Sequence, residues 1–291
     1  MLTSDQKEAI RARLEAYVRR YPSQSKAVNS LKGVSAGTVS CILNSKWDLI
    51  SDDMWLKIQA QLTTTGGWNL YDTNAFRSLM LYLEDAKADS SVAWITGPAG
   101  IGKSTAAEAF ERNNANVFLL TCSEDMHKSD FVRELASKIG VRTEGYTVRE
   151  TLYAIIRELV KKDSPLLIFD EGDKLTDSVL YYYVSLYNAL EDKCGMVFLS
   201  TNYMTRRMNN GVRMGKKGYD ELESRICRRF VPLDLVSGDE VESICLANGL
   251  TDKAAIRTVR KEAQECGNDL RRVKKSVHKE LRKLAARRVE E

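Results

Sequence analysis

Histidine is scarce in this sequence, at two of 291 residues, and the six cysteines (Cys41, Cys122, Cys194, Cys227, Cys245, Cys266) never fall in a CxxC pair. With His127 and His278 also isolated, the pattern argues against a Cys/His metal site. It fits buried, reduced thiols in a cytosolic protein. Long hydrophobic runs are missing too. None reaches the roughly 18 residues that a membrane-spanning helix needs, and Met1 to Asp5 opens no apolar signal region, so a soluble, intracellular chain without membrane association is expected. Charge of one sign is also low. A formal net charge of +4 makes any nucleic-acid footprint a local patch rather than a property of the whole molecule. What the chain does have is 43% hydrophobic residues, enough for one substantial core and smaller satellites.

The most informative stretch is Gly97-Pro98-Ala99-Gly100-Ile101-Gly102-Lys103-Ser104-Thr105, which satisfies the spacing GxxxxGK[ST]. Before it, Val92 to Thr96 is an apolar run of strand length; after it, Thr105 to Phe110 favours helix. In that setting the glycines let successive N–H groups face one anion, and the helix adds its positive end. Lys103 reaches the outer phosphates and Ser104 offers a hydroxyl to magnesium. Downstream, Leu166-Leu167-Ile168-Phe169 is a buried-strand pattern ending in Asp170 and Glu171. Such a strand delivers Asp170 to a magnesium shell at the sheet's carboxyl end, and Glu171 orients and deprotonates the attacking water. ATP with Mg2+ is the expected ligand pair.

The sequence before this region divides into two parts. Thr3 to Tyr21 carries Ile10, Leu14, Tyr17 and Val18 on one helical face, a short helix spans Ser25 to Leu31, and a third pattern runs through Thr38, Val39, Ile42 and Leu43. Between the last two, Gly33-Val34-Ser35 supplies a reversal, a core plug and a helix cap. A further helix capped at Ser51 presents Trp55, Ile58 and Leu62. Residues 1–62 are expected to form a helix-turn-helix domain, 63–74 a linker beginning with Thr63 to Gly67, 75–236 an ATPase core and 237–291 a helical lid.

Strand patterns at Val117 to Leu120, Gly195 to Ser200 and Phe230 to Leu233, alternating with helical ones, point to a parallel sheet. The tyrosine run in Val179 to Leu190 reads as packing. Thr201-Asn202 ends a strand at the same crevice. Arg206 to Gly218, with Arg207, Arg213, Lys216 and Lys217 among glycines and asparagines, reads as a mobile basic loop, either solvated or touching DNA. The segment from Leu270 to Val289 forms a long helix whose cationic face (Arg271, Arg272, Lys274, Lys275, Lys279, Arg282, Lys283, Arg287, Arg288) has few compensating acids.

Ser25 to Lys46 resembles the helix-turn-helix of phage-repressor-type DNA-binding domains. Ser35, Thr38, Asn44 and Lys46 are the expected DNA contacts there, joined by Lys274 and Lys275 from the last helix. The positions turned toward base edges are Ala36, Gly37 and Cys41, none able to make a bidentate hydrogen bond to a base, so little sequence preference is expected. Residues 75–291 resemble the AAA+ ATPases through the Walker A loop, the Walker B run, Asn202, the Ser224-Arg225-Ile226 box and the Gly267 to Arg271 box. With the helix-turn-helix in front, the layout is similar to the MuB-like transposition target-capture family.

The resemblance implies an α/β P-loop fold: a parallel five-stranded sheet with helices on both faces, a C-terminal helical lid and an all-α N-terminal domain. It also implies roles. Asn202 is sensor 1, Arg271 sensor 2, and Arg225 the arginine finger supplied to a neighbouring subunit, with Arg228 or Arg229 as substitutes. The implied partners are double-stranded DNA, further copies of the chain in a head-to-tail oligomer or helical filament, and a transposase. Gly172, where relatives usually carry Ala, departs from the pattern with no obvious chemical consequence. A helicase loader or replication initiator would share these parts, as would a transcription regulator with a nucleotide switch or an ATPase that contacts only proteins.

Overall fold

The computed structural model describes the chain except residues 1–3, 20–22, 30, 32, 48–49, 56, 59–67, 226–229 and 291. The stretch Thr63 to Gly67 and the arginines at 228 and 229 therefore lie outside the described residues. The chain divides into two compact units, Met1–Leu70 and Tyr71–Glu291.

In the first unit, α1 (Ser4–Val18), α2 (Gln24–Asn29) and α3 (Ala36–Leu43) meet around Ile10, Leu14, Val28, Val39, Ile42 and Trp55, all buried. Gly33 has φ +66, a left-handed conformation that favours glycine, and it carries the chain from α2 toward α3. Ser35 then caps α3, accepting from the Thr38 N–H at 3.0 Å, while its hydroxyl lies 2.9 Å from that of Thr38. Residues 52–55 and 57–58 are helical, and a 2.9 Å Lys7–Asp52 ion pair joins them to α1.

The second unit opens with α4 (Asn74–Ala88) and continues β1 (Val92–Thr96), α5 (Lys103–Asn113), β2 (Val117–Thr121), α6 (Lys128–Ile139), α7 (Val148–Leu159) and β3 (Leu166–Asp170). Then follow α8 (Asp177–Leu190), β4 (Gly195–Ser200), α9 (Tyr203–Arg213), α10 (Tyr219–Arg225) and β5 (Phe230–Pro232). Three helices close it: α11 (Gly238–Ala247), α12 (Lys253–Glu265) and α13 (Leu270–Glu290). All five strands are parallel, in the order β2-β3-β4-β1-β5. Strands buried on both faces need continuous apolar runs, and Leu166 to Asp170 and Gly195 to Ser200 are buried throughout.

One face of the sheet carries an aromatic row. Phe169 stacks on Phe198 at 4.7 Å between ring centroids, and Phe198 on Trp94 at 4.3 Å, with Phe131 of α6 and Phe230 of β5 at the ends. Helices α6 and α8 cover that side, and α4 and α5 pack on strands from the other. The row also accounts for Gly172. A Cβ there would lie 3.0 Å from the Phe198 ring, so the glycine leaves room for an aromatic that an alanine would press against.

Two expectations are corrected by the structure. Arg206 to Gly218 is not a mobile loop, because most of it is helix α9, anchored by buried Met204 and Met208. Gly211 is there for close approach rather than flexibility: a Cβ would fall 2.0 Å from the Tyr219 ring. The cationic face of α13 is also partly compensated, since Lys279 bonds Glu262 at 2.8 Å and Lys283 bonds Glu280 at 2.7 Å. Among the described residues, no helix is long and apolar enough to cross a membrane.

Candidate nucleotide site

The loop from Gly97 to Gly102 leaves the carboxyl end of β1 and enters α5. Its start is tied down by the Gly97 N–H donating to the Ser200 carbonyl at the tip of β4, 3.1 Å away. Gly100 (φ +78) and Gly102 (φ +100) take left-handed backbone conformations that curl the chain back on itself. Lys103 and Ser104 thereby fall in the first turn of α5, where unbonded N–H groups and the positive end of the helix favour an anion.

Lys103 is folded back into this loop, its Nζ donating to the carbonyls of Gly97 at 2.6 Å and Pro98 at 2.9 Å. Burial pushes its pKa down, and the nearby carboxylates of Asp170, Asp173 and Glu171 oppose that shift while Arg271 reinforces it. These electrostatic neighbours mark which groups the fold has gathered. Asp170, at 3% exposure, has the Ser104 hydroxyl among the groups that favour its charged form. Its pKa is raised, first by burial, with Ser104, the Glu171 N–H and Lys103 pulling the other way. The strand order explains the meeting: β4 separates β3 from β1, so the tips carrying Asp170, Ser200 and the loop open onto one crevice.

A carboxylate and a hydroxyl gathered at one loop suit a hard divalent ion such as magnesium, which takes oxygen ligands and completes its shell from phosphate and water. Among the described residues no group of three or more His, Cys, Asp or Glu gathers that could hold an ion alone.

Glu171 follows Asp170 with φ +56, a left-handed conformation uncommon for a residue with a side chain. Its N–H donates to Asp170 Oδ1 at 2.9 Å, and its carboxylate pairs with Lys174. Asn202 is exposed, two residues past β4, and starts α9. Beside it, the Thr201 hydroxyl donates to Asp173, a contact that sequence reasoning did not assign.

The helical C-terminus reaches the phosphate loop directly. The Leu270 N–H donates to the Gly100 carbonyl at 2.9 Å, and a Cβ on Gly100 would lie 2.3 Å from the Asp269 carboxyl group. Asp269 itself accepts from the Arg271 N–H at 2.7 Å and so caps α13. This contact sets Arg271 among the neighbours of Lys103. Glu240 provides a second attachment, one carboxylate oxygen accepting from the Ser237 N–H at 2.7 Å and the other from the Asn74 N–H at 2.6 Å. Neither Asp269 nor Glu240 was singled out from sequence. The capping-box spacing of Ser237 and Glu240 was visible, but its reach to Asn74 was not.

Arg225 sits apart from this cluster. At the end of α10, its Nε donates to Asn188 on α8 at 2.8 Å and its guanidinium lies 5.4 Å from the Tyr187 ring centroid. In the first unit, Asn44 donates to the Ser40 carbonyl at 2.9 Å, and Asn44 and Lys46 are both exposed. Lys274 and Lys275 are exposed on α13.

A more buried network lies beside Asp173. Arg207 donates to the carbonyls of Leu175 at 2.7 Å and Asp173 at 3.3 Å and to the Tyr219 hydroxyl at 3.2 Å, and it also pairs with Asp177. Asp177 is further bonded by Tyr219 and Lys216. These contacts outweigh the burial that would raise its pKa, and it is lowered to about 2. Arg207 and Lys216, read from sequence as loop cations, thus fasten α9 and α10 to the segment that follows Glu171.

The chain is similar to several known proteins. A family model described as an AAA domain matches residues 87–208. The Mu-like prophage FluMu DNA transposition protein B of Haemophilus influenzae is 26% identical over 82% of this chain and 85% of that protein. The ATP-dependent target DNA activator B of Escherichia phage Mu is 24% identical over 89% of this chain and 83% of that protein. Among solved structures, NtrX from Brucella abortus in complex with ATP aligns with a TM-score of 0.46 at 11% identity, covering 85% of this chain and 59% of that chain, so the alignment spans about three fifths of NtrX.

Proposed function

We propose that the chain is a MuB-like AAA+ ATPase that binds DNA with little sequence preference, assembles on it with ATP and delivers it to a transposase, hydrolysis driving disassembly; the matches to an AAA domain and to transposition proteins B support this reading. The observation that carries the reading is the convergence of Lys103, Ser104, Asp170 and the start of α13 on one glycine loop. It makes nucleotide the natural link between the ATPase core and its helical C-terminus.

In the hydrolytic step, Lys103 leaves the Gly97 and Pro98 carbonyls to neutralise the outer phosphates. Ser104 and Asp170 hold a magnesium ion, which supplies positive charge to the phosphate oxygens when bound. Glu171 takes a proton from water as the water oxygen attacks the terminal phosphorus. The bond to the β-phosphate oxygen breaks, releasing ADP and phosphate. Asn202 orients that water, and Arg271 senses the nucleotide from α13. Arg225 acts in trans, leaving Asn188 to reach the phosphate bound by the next subunit and stabilise its developing charge.

Loss of the terminal phosphate then weakens the junction between subunits. DNA is held through its backbone by Ser35, Thr38, Asn44 and Lys46 of a helix-turn-helix and by Lys274 and Lys275. The exposed Ala36 and Gly37 on α3 favour a grip without base readout.

Glu171→Gln tests the reading. It is expected to keep ATP and remain trapped on DNA together with the transposase, while Lys103→Ala loses nucleotide and DNA alike. Normal ATP turnover by Glu171→Gln, or retention of a helicase in place of a transposase, contradicts the proposal.

A further inference from the structure

From Asn202 to Tyr219 the chain carries five cations, Arg206, Arg207, Arg213, Lys216 and Lys217, and no Asp or Glu. The fold divides them into two sets. Arg207 and Lys216 are engaged internally, both pairing with Asp177. Arg206, Arg213 and Lys217 are exposed, and among the described residues no carboxylate pairs with any of them. At 3.6 residues per turn, Tyr203, Arg206, Asn210 and Arg213 share one face of α9, opposite the buried Met204, Met208 and Gly211. Arg206 and Arg213, seven residues apart, are separated by about 10 Å along the helix axis. Tyr203, 54% exposed, heads this row, and Arg213 donates to Asn210 Oδ1 at 3.2 Å within it.

The row stands on a fixed base. The turn after α9 is closed by the Gly215 N–H donating to the Val212 carbonyl and the Lys216 N–H to the Gly211 carbonyl, each at 2.9 Å, and the Tyr181 hydroxyl of α8 donates to the Lys217 carbonyl. Cations presented on a helix and turn already held in place leave only side-chain freedom to lose on binding. Like charges gathered without counter-ions repel one another, and a polyanion relieves that repulsion. Arginine, lysine and asparagine are the donors that phosphodiester oxygens draw on. We propose that the exposed face of α9, extended by Lys217, is a DNA-backbone surface on the ATPase core, in addition to the contacts assigned to α3 and α13. The proposal rests on the reading of this chain as a DNA-binding ATPase.

The test is fluorescence anisotropy of two unrelated labelled duplexes with full-length protein and a non-hydrolysable ATP analogue, over a salt series. Arg206→Gln combined with Arg213→Gln is expected to weaken both duplexes alike, roughly 10- to 100-fold near 0.1 M salt, and to make the salt slope shallower by about 2. Arg206→Lys with Arg213→Lys keeps both charges and should retain the slope. Arg112→Gln with Arg133→Gln removes two exposed arginines from α5 and α6, so it matches the change in net charge and should leave the slope as in wild type. Folding and binding of a fluorescent ATP analogue are checked in parallel and are expected to be unchanged in all three, since every substituted side chain is exposed.

The outcomes separate this surface from the DNA reading as a whole. If wild type binds neither duplex, the DNA reading fails and the surface with it. If wild type binds while the α9 glutamine variant keeps its affinity and slope, or the matched control loses as much, the surface is wrong and the DNA reading stands. Two further results also overturn it. Polyglutamate bound as tightly as duplex DNA through the same arginines assigns the face to an acidic protein. Loss of ATP-dependent assembly by the α9 glutamine variant in the absence of DNA, read by sedimentation velocity, assigns it to contact between copies of the chain.

Discussion

Replacing Arg207 by Met keeps most of the side-chain stem and removes every hydrogen bond of the guanidinium. The side chain is 15% exposed, and its loss strips donors from two carbonyls, at Asp173 and Leu175, and one partner from Asp177. A hydrogen bond to a charged group contributes roughly 1.5–3 kcal/mol and a neutral one about 1 kcal/mol. Lys216 and Tyr219 still bond Asp177, which moderates the loss. The expected destabilisation of the Tyr71–Glu291 unit is therefore about 3 kcal/mol.

Urea unfolding measures this loss, and hydrogen exchange at Gly172 to Leu175 locates it. The effect depends on pH in a definite direction. Asp177 has a folded pKa of about 2, below its ordinary 3.8, so its stabilisation is complete above about pH 4 and fades as pH falls toward 2. The gap between wild type and Asp177→Asn should narrow over that window. A loss under about 1 kcal/mol for Arg207→Met, with unchanged exchange after Glu171, refutes the view that this residue fastens α9 and α10 to the Walker B segment.

Other perturbations probe the phosphate loop and the lid. Gly100→Ala forces a Cβ into a left-handed conformation and against the Asp269 carboxyl group, so about 1–3 kcal/mol of strain is expected together with weaker binding of a fluorescent ATP analogue. Unchanged nucleotide affinity would show that the contact between Leu270 and Gly100 is not part of the site. Reversing charge at Lys274 and Lys275 is expected to weaken DNA binding for all sequences alike and to reduce the salt slope by about 1 per lost phosphate contact; an unchanged slope removes α13 from the DNA interface.

How much of this was legible follows from the range of each signal. The strands around Trp94, Phe169 and Phe198 announce themselves as short apolar runs, and the phosphate loop is a local pattern whose glycines, lysine and serine act within a few residues of one another. Helix α9 was obscured because Gly211, two asparagines and three arginines dilute its apolar spacing. The signal that remained was Met204, Met208 and Val212, four residues apart.

Contacts between distant segments left no local trace. Glu240 bonds Asn74 across 166 residues, and Asp269 meets Gly100 although all of β2 to β5 lies between them in the sequence. The significance of Gly172 likewise depends on an aromatic row assembled from separate strands. The roles of Asn202, Arg225 and Arg271 came from the resemblance, since a lone asparagine or arginine carries no spacing rule of its own.

The claim that hydrolysis occurs at a site shared between subunits is tested most directly by mixing two defective proteins. Arg225→Ala keeps an intact phosphate loop and base, and Glu171→Gln keeps ATP and DNA binding together with an intact arginine. Each alone should hydrolyse ATP poorly. Combined on DNA, they are predicted to recover activity well above the sum of the two, because the arginine of one completes the site of the other. A mixture no more active than its separate components contradicts the account.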